Sequence, residues 1–138
     1  MCGFASVGAG PAGLGLVDAY VGAAAMVLAA FDEPGVLDRE FLLSDISADR
    51  TFPGRQAIGF HLVDYVVHGW DVARALGVPY QPDPEVLAFA VAIARAVPTG
   101  PSRLVPGAAF APALTVPSAA DALTETLLLL GRDPAWRR

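Results

Sequence analysis

Apolar side chains return every third or fourth position through residues 60–76. Leu62, Val63, Val66, Val67, Trp70 and Ala73 therefore fall along one face of a helix. A helix with such a seam must bury it against other elements, and that constrains the chain towards a helical bundle. The same run holds both histidines of the sequence. At about 100° per residue, His61, Asp64, His68 and Asp71 gather within roughly a quarter of the helix circumference. Two imidazoles and two carboxylates on one stripe form a candidate metal or acid–base surface.

Asp64 and His68 are the central pair. Residues four apart on a helix have Cβ atoms about 5–6 Å apart, so both side chains can reach one ion. A carboxylate oxygen with a neutral imidazole nitrogen suits zinc or another divalent first-row metal. His61 lies seven residues from His68, about 10.5 Å along the axis, which strains a shared ion. It is better suited to supporting the ligands from behind, to substrate contact or to proton transfer. Asp71 has two expected partners: the other ring nitrogen of His68, or Arg74 one turn on. The plain alternative is a solvated face of an amphipathic helix. Against it, the stripe has no Lys or Glu, and Tyr65, Val72 and Leu76 border it like the wall of a pocket.

Three more helices are expected. One spans about 14–31, with Leu16, Val17, Tyr20, Val21, Ala24, Val27, Leu28 and Phe31 as its stripe and Pro34-Gly35 as its stop. The motif helix covers about 54–77, ended by Gly77 and Pro79. Asp83 caps a third helix with Pro84 at its first position, running to about 97. A fourth opens at Ser118, with Asp121 three residues on, and closes at Gly131. Residues 36–55 read as loop-rich, and the proline-spaced stretch 105–117 as extended or irregular. Together these give an all-α bundle of about four helices in a single domain over 1–138, with 1–13 flexible.

The chain has 138 residues, 54% of them hydrophobic and 17% charged, so its apolar surface needs a packed interior or a partner. Its net charge is −5, with no basic stripe, which argues against nucleic-acid binding. Nine Arg and no Lys, with abundant Ala, Gly and Pro, read as GC-rich coding of a bacterial kind. The single Cys2 excludes an internal disulfide and suits the cytoplasm. The run 21–31 is too short to span a bilayer, and no basic segment marks a secretory signal, so no membrane association is expected. Gly8-Ala9-Gly10-Pro11-Ala12-Gly13 matches a dinucleotide-binding fingerprint, but no convincing strand precedes or follows it, and it reads as coincidence of composition. Trp70 reads as core. Arg55, Arg74, Arg103 and Arg132 read as surface or ion-pair residues, any one of which could clamp a substrate carboxylate.

The pattern Asp64-x-x-x-His68-Gly-Trp70-Asp71-x-Ala-Arg74-x-x-Gly77 resembles the metal-site helix of the mycothiol-dependent maleylpyruvate isomerase-like proteins, in the DinB-like superfamily of helical bundles. A second match, Phe110-Ala-Pro112 through Pro117 and then Gly131-Arg132-Asp133-Pro134-Ala-Trp136, resembles that family's C-terminal segment. The resemblance covers most of the chain from about Leu16 onward. It implies a divalent metal, typically zinc, on Asp64 and His68, with His61 a third candidate ligand. It also implies a low-molecular-weight thiol such as mycothiol, activated as a thiolate to isomerise or transfer to a small-molecule substrate. The family takes a further histidine from an earlier helix, and no histidine precedes His61 here, so the first part of the family domain is expected to be missing. The alternative from the same departure is a degenerate, non-catalytic bundle acting through binding or homodimerisation.

Overall fold

The structure, a computed structural model, describes residues 11–44, 46 and 49–136. It is mostly helical, with four α-helices and a small two-stranded hairpin. The chain divides into two compact units, residues 1–39 and 40–138. Cys2 and the first half of the glycine-rich fingerprint, Gly8 to Gly10, lie outside the described residues. The segment 1–13 expected to be flexible is described only from Pro11, where the first helix already begins.

In the first unit α1 spans Pro11–Phe31. It ends where predicted: Pro34 cannot continue it, and Gly35 takes a left-handed φ of 77° before a short 3-10 turn at Val36–Asp38. Arg39 pairs with Glu33 at 2.9 Å. Leu16, Val17, Tyr20, Val21 and Leu28 of the predicted apolar stripe are exposed. No helix among the described residues is long and apolar enough to cross a membrane.

The second unit opens with the hairpin, β1 (Glu40–Leu42) antiparallel to β2 (Thr51–Pro53), pairing Phe41 with Phe52. Within the stretch 36–55, which reads from sequence as loop-rich, the hairpin is a feature that the sequence expectation does not include. The pairing is only three residues long, below what alternation in a sequence reveals, and it is anchored by burying Phe52 edge-on to Phe60, with ring centroids 5.5 Å apart. Helix α2 (Gly54–Leu76) follows at once and closes at Gly77. Helix α3 (Pro84–Ala96) starts at the predicted cap, where the Asp83 carboxylate accepts the Glu85 N–H at 2.7 Å. Helix α4 is shorter than expected, Ala122–Leu129. Its cap is Asp121, whose carboxylate accepts the Thr124 N–H at 2.7 Å, while Ser118 sits in the preceding turn. An Asp outcompeted the Ser because it satisfied the third helical N–H directly.

The predicted seam of α2 forms the core. Val63, Val66, Val67 and Trp70 pack with Ala90 and Ala94 of α3 and with Leu127 and Leu130 at α4. Burial of each large apolar side chain contributes about 1.5–3 kcal/mol. The alanines of α3 let the helices approach closely. Tyr80 fastens the α2–α3 connection by donating its hydroxyl to the Val66 carbonyl at 2.8 Å. The irregular stretch 105–117 is as predicted and is tied to α4 by the Leu114 N–H on the Leu128 carbonyl.

Arg103 departs from its surface expectation. It is 6% exposed, and its guanidinium donates to the carbonyls of Pro98 at 2.8 Å and Leu129 at 2.6 Å, with longer bonds to Ala111 and Val97. It thereby serves free carbonyls at the ends of two helices, where a cation also meets the negative ends of their dipoles. Burial pulls its pKa below the ordinary arginine value, yet from a start so high the group stays charged at neutral pH.

Arg95 of α3 grips Glu125 of α4 through two bonds, 2.6 and 2.7 Å. The hydrogen bonds, and then the charge of Arg95, hold the Glu125 carboxyl below its ordinary value of 4.5. A depressed carboxylate contributes stability that is complete above the unfolded value and lost as pH falls through the folded one. Acidification below about 4.5 should therefore weaken the α3–α4 pairing, and Glu125→Gln should remove that part of the pH dependence of urea unfolding.

Candidate functional site

The rotation of α2 is set by its buried seam, and that leaves Asp64, His68 and Asp71 on the opposite side. Asp64 and His68 are one turn apart, with Asp64 Oδ1 3.2 Å from His68 Nε2, and both side chains are more than half exposed. The other ring nitrogen, Nδ1, lies 3.1 Å from Asp71 Oδ2. One of the two partners expected for Asp71 is thus realised: it takes His68, not Arg74.

Arg74 instead donates to the Pro134 carbonyl and lies over the Trp70 ring, 5.5 Å from its centre. The arginine on Asp71 is Arg132, 61 positions away. Its Nε donates to both carboxylate oxygens at 3.1 Å, and its Nη2 to Oδ2 at 3.0 Å. Arg132 is among the arginines read as ion-pair candidates, but its partner carries no local signal, since only the fold brings α4's end to α2.

A carboxylate accepts and cannot donate, and both ring nitrogens face one; only the Nδ1–Asp71 contact also has hydrogen-bond geometry, which favours the proton on Nδ1. Nε2 then has two chemical options. It carries a second proton towards Asp64, making an imidazolium between two carboxylates, or it offers its lone pair to a cation shared with Asp64.

His61 is on the same helix but is half-buried and stacks at a tilt on Tyr65, with centroids 4.7 Å apart. Among the described residues no three His, Cys, Asp or Glu side chains gather as a group able to hold a metal. The structure thus brings Asp64, His68 and Asp71 together and does not bring His61 into a three-donor set with Asp64 and His68. Two concavities among the described residues do not include Asp64, His68 or Asp71. One is lined by Leu28, Ala29, Phe31 and Asp32, the other by the end of α2 with Val78, Pro79 and Trp136.

The chain is distantly homologous to two mycobacterial proteins, the uncharacterized protein Rv0738 of Mycobacterium tuberculosis strain H37Rv and the uncharacterized protein MT0763 of strain CDC 1551. Each is 34% identical over 118 residues, a match that covers 86% of this chain and 62% of the relative. No protein-family model and no solved structure matches the chain.

Gly69, beside His68, sits under the Tyr80 ring, where an added Cβ would lie 2.7 Å from the hydroxyl oxygen and 2.9 Å from the nearest ring carbon. Gly69→Ala gains up to about 1 kcal/mol of helix propensity. Forcing the ring aside costs about 1–3 kcal/mol and breaks the Tyr80 hydroxyl's bond to the Val66 carbonyl. The overpacking term wins, so Gly69→Ala should lower the midpoint of thermal unfolding; a rise would show that Tyr80 moves at no cost.

Proposed function

We propose that the chain is a divalent-metal-binding protein of the mycothiol-dependent isomerase-like, DinB-like kind, acting through metal-activated thiolate chemistry on a small molecule. The observation that carries this reading is the Asp64 Oδ1–His68 Nε2 pair, 3.2 Å apart, with Nδ1 already committed to Asp71. The donor chemistry fits zinc: one carboxylate oxygen, and one imidazole nitrogen whose other side is held by a second carboxylate. These are two of the three protein donors usual in a catalytic zinc site. The remaining positions fall to solvent, to the thiol itself, or to a donor outside this pair.

In this mechanism Asp71 keeps the proton on Nδ1 and the lone pair on Nε2. Asp64 supplies the negative charge that makes the pair attractive to a cation. A divalent cation held there would supply Lewis acidity that favours the thiolate form of a bound low-molecular-weight thiol. The open setting of both side chains leaves room for a thiol to approach.

A second reading, a non-catalytic bundle that associates with itself, is favoured by a different observation. Leu16, Val17, Tyr20, Val21 and Leu28 of α1 are all exposed, an apolar stripe that self-association would cover.

Elemental analysis of protein purified without a histidine tag, combined with light scattering, separates the two. Near-stoichiometric zinc that is lost in both His68→Ala and Asp64→Ala supports the metal reading. Zinc uptake unchanged by these substitutions overturns it. No metal together with a stable dimer transfers support to the second reading.

A further inference from the structure

Arg132 sits immediately after α4, and its placement is built into the way that helix ends. The Arg132 N–H bonds to the Leu127 carbonyl at 2.8 Å, and the Gly131 N–H to the Leu128 carbonyl at 3.1 Å, the paired bonds of a Schellman turn. Gly131 has a φ of 77°, and an added Cβ there would stand 2.7 Å from both the Cβ and the carbonyl oxygen of Ala111. Only glycine satisfies both conditions. Leu127 and Leu130, on either side of the turn's start, are fully buried, so the turn is rigidly seated. It delivers a side chain that is only 19% exposed on to Asp71.

We propose that Arg132 is a positioning residue that sets the tautomer and orientation of His68 through Asp71. Three N–H···O contacts occupy both oxygens of Asp71 and fix the plane of its carboxylate, as a guanidinium fork does. With that plane fixed, Oδ2 faces Nδ1 of His68 and selects the Nδ1–H form. The lone pair is thereby directed from Nε2 towards Asp64. Without Arg132, Asp71 is free to turn into solvent, and the imidazole returns towards the Nε2–H form with Asp64 as acceptor. A plain ion pair stapling residues 132–136 to α2 would affect stability alone; a positioning role moves the proton on His68.

The affinity arm of the test rests on the metal reading, whereas the tautomer arm does not. Long-range nitrogen–proton spectra of His68 should be recorded on the full metal-free chain, at a pH where the imidazole is neutral, with His68→Gln used for assignment. The Nδ1–H pattern is expected in the unsubstituted protein. Arg132→Gln should shift it towards Nε2–H while helical circular dichroism is retained, and should weaken zinc binding about 10–100-fold. Should Arg132→Gln fail to fold, Asp71→Asn gives the same readout, because its amide donates as readily as it accepts. A tautomer unchanged in both variants overturns the proposal, whatever happens to stability. A tautomer shift in a protein that takes up no zinc sustains the positioning role and rejects the metal reading instead.

Discussion

The rotational phase of α2 governs everything else in the second unit. Val63, Val66, Val67 and Trp70 can be buried against α3 and α4 in only one orientation of the helix. That orientation leaves Asp64 and His68 outward and brings Asp71 to the edge where α4 ends. Turning the helix by one residue, about 100°, would put carboxylates into a core of alanine and leucine, at a cost of several kcal/mol per charge. The polar stripe is thus held in place by the apolar one.

The end of α4 is the second fixed point, and two arginines share the work there. Arg103 gathers carbonyls from the ends of α3 and α4 and from residue 111, closing the bundle on the side of the irregular stretch. Arg132 faces the other way and reaches α2. Arg103 is a buried cation neutralised by dipoles, whereas Arg132 is a largely covered cation neutralised by a carboxylate that itself serves a histidine. The same residue type performs structural and positional work according to what its fork meets.

How far the sequence could reveal this depends on the range of each signal. The α2 seam, the Asp83–Pro84 start and the stop after Gly77 are local patterns of period or cap, and each appears in the structure where it is predicted. The α4 start was displaced by three residues because Ser118 and Asp121 are both good caps, and only the geometry of the Pro117 turn decides between them. The β1–β2 hairpin was invisible because three-residue strands carry no period, and because the burial of Phe52 depends on α2. Asp71's choice of Arg132 over Arg74, and the burial of Arg103, depend on contacts across the fold. In the candidate site, therefore, the pair on one helical turn and its Asp71 contact are legible, whereas the Arg132 that holds Asp71 is not.

In the proposed metal reading, helix geometry also explains why the pair would offer only two donors. One helix presents positions i and i+4 to a single point, but a seventh residue is two turns away, and His61 accordingly meets Tyr65. A third donor must come from another element, yet α3 and α4 meet α2 on its apolar face with Ala90, Ala94, Leu127 and Leu130. The element that does reach the polar side brings a guanidinium. Asp71 stands between that positive charge and His68, and it shields the imidazole from a repulsion that would otherwise oppose any cation at Nε2. Asp71 thus anchors the bundle's end to α2 and, in the proposed metal reading, would keep the Asp64–His68 pair electrostatically open to a cation.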